Sequence, residues 1–232
     1  MARSRIAILT PLPPVRSGVA HYASLLIPAL AQHADVRAFD SPEGFRAEDY
    51  DAVFYQLGNN PHHEWIYKAA AGGGSEWRVA SEGGGIAQAT QPGQLATRHA
   101  LRTTMSVVVL HDLVLHHLIV EMTLARGDAE GYVAAMEANH GPAGAAWARG
   151  RANGMHAEIA NFLMPASIDI AQRADAVIVH NHYARERLLS FGVTTPIHVV
   201  PHPYMPETRT FDRDALRARH GFTRETRVIG LF

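Results

Sequence analysis

The sequence predicts an α/β protein built on a mostly parallel, Rossmann-like sheet with helices on both faces. Three observations lead there. Short apolar segments rich in β-branched residues recur along the chain, each running into a polar residue. They lack the polar alternation of strands that keep one face in water, and helical patterns lie between them. In order they are Arg5-Ile-Ala-Ile-Leu-Thr10, Asp51-Ala-Val-Phe-Tyr-Gln56, Val107-Val-Val-Leu110, Asp175-Ala-Val-Ile-Val-His180 and the shorter Ile197-His-Val-Val200, stopped by Pro201. Right-handed crossovers put the intervening helices on the two faces. Open sheets of this kind hold ligands beyond the carboxyl ends of their strands, so polar residues there come first in any search for chemistry.

The first segment leads into Thr10-Pro-Leu-Pro-Pro-Val-Arg-Ser-Gly18, a stiff proline-rich turn in which Ser17 is a candidate N-cap. The next helix shows Val19, Tyr22, Leu26 and Leu30 on one stripe, and Pro28 is expected to kink or loosen its last turn. Asp128 is placed to cap a helix running to Asn139, with Gly141 beyond its end. His182 to Phe191 is expected to form a basic-faced helix stopped by Gly192, and Asp212 to His220 a short one before Gly221.

Residues 71–104 break this pattern. Two glycine triplets (Gly72 to Gly74, Gly83 to Gly85) sit among polar residues with few large apolar ones. Such a stretch buries too little surface to offset its ordering entropy, so it is expected to be a disordered insertion outside the core. Arg227-Val-Ile-Gly-Leu-Phe232 has the composition of a further buried strand. The expected division is therefore a Rossmann-like domain over 1–203 and, over 204–232, a linker and the first strand of a second, truncated domain.

Composition narrows the class. The 232 residues are 47% hydrophobic and 19% charged, which suits one sizeable core. A net charge of -1 gives no general pull toward nucleic acid. The absence of cysteine excludes disulfides, thiolate zinc sites and cysteine nucleophiles. Residues 107–125 hold His111, Asp112, His116, His117 and Glu121, too polar a set for a membrane span. The apolar run Ile6 to Leu9 is too short for a signal peptide, so a cytoplasmic protein is expected.

His111 follows the most apolar strand and is the strongest candidate for a catalytic residue, against the plainer reading of a structural histidine. Asp112 either orients its Nδ1–H or caps the next helix. Gly58-Asn59-Asn60 is either a plain turn or a place where Asn59 and Asn60 bond acceptor hydroxyls. Ser17 and Gly18 either start a helix or, with Arg16 adding charge, receive an anion. His116 and His117 are adjacent rather than four apart, as are His62 and His63, so neither pair aims two imidazoles from one helical face. With 15 scattered histidines and no cysteine, no dedicated metal site and no cofactor are expected. Asn139 and His140 suit a helix end, and Tyr183, Arg185 and Arg187 an amphipathic helix.

Taken together, these pieces resemble the N-terminal domain of family 4 glycosyltransferases, retaining nucleotide-sugar enzymes of GT-B fold. The segments that carry the resemblance are Ile6 to Tyr22, Tyr55 to Asn60, Val108 to His117, Ala176 to Tyr183 and Val199-Val-Pro-His-Pro203, in the family's order. The resemblance implies transfer of a sugar from a nucleotide-sugar donor to a glycan or glycoconjugate acceptor, as in bacterial-type polysaccharide synthesis. It places His111 near the transferred sugar and the Arg16-Ser17-Gly18 loop against donor phosphates and acceptor. It implies that the donor diphosphate is held by Arg and Lys of a second domain absent from this chain, so the polypeptide alone is expected to be catalytically incomplete. Peripheral membrane contact and oligomeric state are left open. The alternative is a non-catalytic α/β module that binds a sugar or a partner. A dinucleotide-binding domain is disfavoured, because no G-x-G-x-x-G follows the first strand.

Overall fold

The computed structural model describes residues 3–72, 104–155, 157–203 and 210–230. Six parallel strands form one sheet: β1 (Arg5–Leu9), β2 (Asp35–Phe39), β3 (Ala52–Leu57), β4 (Met105–Leu110), β5 (Ala176–Val179) and β6 (Ile197–Val199). Their lateral order is β2-β1-β3-β4-β5-β6. The chain leaves β1 toward one edge and returns to build the rest on its other side, so the switch in direction falls between β1 and β3. In open α/β sheets a ligand crevice forms at such a point, beyond the strand carboxyl ends.

The five strands expected of this sheet are all present, within two residues of their expected ends. Val107 to Leu110 are buried, as a strand covered on both faces requires. The sixth, β2, was not anticipated. It alternates exposed and partly buried residues at the sheet's edge, and the short sequence Asp-Val-Arg-Ala-Phe carries no apolar run. Its register is set by β1, with Ile6 opposite Val36 and Leu9 opposite Phe39.

Around the sheet lie α1 (Gly18–Leu30), α2 (Glu64–Ala70), α3 (His116–Met122), α4 (Ala129–Ala152), α5 (Ile159–Leu163), α6 (Ile168–Arg173), α7 (His182–Ser190) and α8 (Arg213–Arg219). Ser17 caps α1 through a 3.0 Å bond from the Ala20 N–H to its Oγ. Pro28 does not end that helix, which continues to Leu30. Lying in the last turn, it removes one backbone donor just before the helix would stop anyway. Asp128 caps α4 by accepting from the Gly131 N–H at 2.7 Å. The expected break after Asn139 occurs at Gly141, whose φ of 62° only glycine adopts readily, but the helical path resumes at Pro142 and runs to Ala152.

The buried core gathers side chains from β1, β3, β4 and β5 with α2, α3, α4 and α6, among them Leu57, Ile66, Leu118, Tyr132, Met136 and Ile170. Most of the expected 71–104 insertion lies outside the described residues. At its far end Thr104 is buried, its hydroxyl donating to the Ala47 and Tyr50 carbonyls. Asp212 caps α8 as expected. The strand expected from Arg227 onward is not formed over 227–230: Val228 is 55% exposed and Ile229 90%. A short apolar segment becomes a strand only where another strand offers it hydrogen bonds, and among the described residues none pairs with it. Among the described residues no helix is long and apolar enough to cross a membrane.

Candidate functional site

The carboxyl ends of β3, β4, β5 and β6 bring four polar side chains into one cluster. Gln56 is the second-last residue of β3; His111 and His180 each follow immediately on a strand, and His202 comes three residues after β6. Backbone pairing continues past the strands and holds these positions. The His111 N–H donates to the Leu57 carbonyl and the Val200 N–H to the Val179 carbonyl, both at 2.8 Å. Each histidine thus inherits its place from the sheet.

The side chains are joined in series. His111 Nε2 lies 2.5 Å from Gln56 Oε1, and His111 Nδ1 lies 3.2 Å from His180 Nε2. His180 Nδ1 lies 2.8 Å from the Val200 carbonyl oxygen. The His202 ring stacks on His180 with centroids 3.8 Å apart. Tyr22 of α1 covers the group, its ring edge-on to His111 at 4.7 Å and to His202 at 5.5 Å. Burial, and then the neighbouring His180, His202 and His63, push the His111 pKa down to about 3. His180 is lowered too, chiefly by burial. Both imidazoles are neutral at physiological pH.

His63 supports this floor from below. It is fully buried, and its Nδ1–H donates to the Gln56 carbonyl at 2.8 Å. Gly58 is required beside it, because a Cβ there would lie 2.8 Å from His63 Nε2. His63 Nε2 and Gln56 Nε2 are both buried without a hydrogen-bond partner among the described residues. Buried polar atoms are normally satisfied, so two such atoms in one place mark the cluster as unusual.

The other candidates divide into scaffold and rim. Asp112 neither caps α3 nor meets the His111 ring. Its Oδ2 accepts from the Asn59 N–H at 2.8 Å and ties the loop after β4 to the loop after β3. The cap of α3 comes instead from Asn59, whose Oδ1 accepts from the Leu118 N–H at 3.0 Å. Asn60 accepts from the His62 N–H and starts the turn Pro61–His63. Both asparagine carbonyl oxygens are therefore engaged in local structure. Arg16 and Gly18 are exposed beside the capping Ser17, and the space where a Gly18 Cβ would project is open.

The remaining histidines lie elsewhere. His116 is buried between Tyr132 and the Met164 carbonyl, and His117 faces Glu121 across 3.6 Å at the surface. His62 is exposed while His63 is buried, as their adjacency implied. Asn139 caps α6 by accepting from the Asp169 N–H. Sequence reasoning found His111 and missed the pair that meets it, His180 and His202. Each sits just beyond the end of a strand, but only the pairing of β5 with β4 and of β6 with β5 brings them to His111. Compared with known proteins, the chain matches no protein-family model and no curated protein.

Proposed function

We propose that this chain is the acceptor-side domain of a retaining glycosyltransferase, which moves a sugar from a nucleotide-sugar donor to a glycan or glycoconjugate acceptor. The observation that carries the reading is the position of His111. A neutral imidazole at a strand's carboxyl end, under an aromatic ring of the first helix, is a surface suited to a carbohydrate. Sugars need hydrogen-bonding groups set in a largely apolar wall, and Tyr22, His111 and His180 supply both. Arg16 and the amino end of α1 stand at the rim, where an anionic group on donor or acceptor would be received. His111 itself would line the sugar site near the reacting carbon.

The test is ligand-observed NMR on the 232-residue chain with a panel of oligosaccharides and nucleotide sugars, with and without chelator. Saccharide binding is expected, weakened tenfold or more in His111→Ala, about 1.4 kcal/mol, with circular dichroism unchanged. Absence of binding across the panel, or an unaffected His111→Ala, would remove the reading. Binding that resists every attempt to detect transfer, even with a cation-rich donor domain supplied in trans, would favour a non-catalytic sugar-binding module.

A further inference from the structure

We infer that His111, His180 and His202 form a three-nitrogen site for a divalent transition-metal ion of the zinc type. Each offers one ring nitrogen, and the three nitrogens all lie within 4.8 Å of one another. A tetrahedral ion bonded to imidazole at about 2.0–2.1 Å holds its ligand nitrogens about 3.3 Å apart. His111 Nδ1 and His180 Nε2, at 3.2 Å, already have that separation. The third ligand, His202, is exposed on the segment after β6, with its ligand nitrogen within 4.8 Å of the other two.

Proton bookkeeping gives the stronger argument. A neutral imidazole has one N–H. The outer nitrogen of His111 faces the Gln56 amide oxygen, and that of His180 faces the Val200 carbonyl oxygen. With the Gln56 amide in this orientation both oxygens only accept, so both outer nitrogens donate. The inner nitrogens then present two lone pairs to each other across 3.2 Å, a repulsive arrangement unless a cation lies between them. Metal-bound histidines have this pattern: the far N–H given to an oxygen, which fixes the tautomer and turns the lone pair toward the ion. Gln56 and Val200 take that outer role here.

The donor set also selects the ion. Three imidazoles with no carboxylate suit Zn2+, Co2+, Ni2+ or Cu2+ and not the oxygen-seeking Mg2+ or Ca2+. Three protein ligands leave a tetrahedral ion one position, which water or an oxygen of a ligand in the crevice fills. The inference does not rest on glycosyl transfer, since it follows from the histidines alone.

The experiment uses untagged protein, stripped with chelator, then titrated with Co2+ and, in competition, with Zn2+. Wild type is expected to take up one equivalent with the visible absorption of a low-coordinate cobalt site. His202→Ala, at an exposed position, and His180→Ala should each weaken binding more than about tenfold, and Gln56→Leu about 10–100-fold through the outer partner. His62→Ala and His117→Ala, in surface histidines away from the cluster, should leave affinity unchanged. Absence of stoichiometric uptake, or equal uptake by His202→Ala and His180→Ala, overturns the site. The Gln56 amide would then be reversed, donating to His111, with one proton shared between the two rings. Because no saccharide is present, this outcome is read separately from the sugar-binding test.

Discussion

Asn59 shows how one side chain can hold a site without touching its chemistry. Its backbone N–H goes to Asp112 and its side-chain oxygen to Leu118, so it joins the loops after β3 and β4 to the start of α3. Asn59→Ala removes the helix cap, and the expected loss is about 0.5–2 kcal/mol, read as a lower denaturant midpoint at unchanged slope. An unshifted midpoint would mean that water replaces the cap at no cost. His111 belongs to the same scale. Its neighbours on either side, Gln56 and His180, decide its tautomer, and burial decides its charge.

Among the elements, the turn after β3 is the most constrained. Gly58 lies against His63, whose ring is buried and held by the Gln56 carbonyl. A methyl group there would meet His63 at 2.8 and 3.2 Å and approach Asp112 Oδ2 at 3.4 Å. Gly58→Ala is therefore expected to cost about 1–3 kcal/mol, since neither ring nor carboxylate can withdraw without breaking a bond. Gly18→Ala is the matched control. With open space above it at the first turn of α1, thermal stability should hold or rise slightly. Equal effects at both glycines would show that backbone freedom, not the contact with His63, governs the turn.

Across the whole molecule, Glu64 ties α2 to the segment between α3 and α4. Arg126 grips both of its carboxylate oxygens, at 2.8 and 2.5 Å, and Lys68 adds a 2.6 Å bond. The Arg126 hydrogen bonds, aided by Lys68, lower the Glu64 pKa from 4.5 to about 2. A depressed folded-state pKa means stability that is complete above the ordinary carboxylate value and disappears as pH falls through the folded one. The Arg126 side chain is half exposed, so the tie is worth no more than about 1 kcal/mol. Wild type should melt above Glu64→Gln at neutral pH, with the gap closing between pH 4.5 and about 2. A gap independent of pH would assign the difference to packing.

β1, β3, β4 and β5 were legible in the sequence because an inner parallel strand covered on both faces is mostly apolar, a pattern that local reading detects, and β6 because its short run stops at Pro201. β2 escaped because an edge strand of five residues satisfies the same sheet while alternating. His111 was legible for the same reason as its strand, standing where an apolar run stops. Its partners were not. His180 is 69 residues away, and it meets His111 only because β5 lies beside β4, with β6 next in line to bring His202. Asn59 and Asp112 likewise kept two readings each until their distances were known. Periodicity along a chain records which residues face the core. It does not record which strands lie side by side, nor which oxygen each imidazole faces, and those two facts make the cluster.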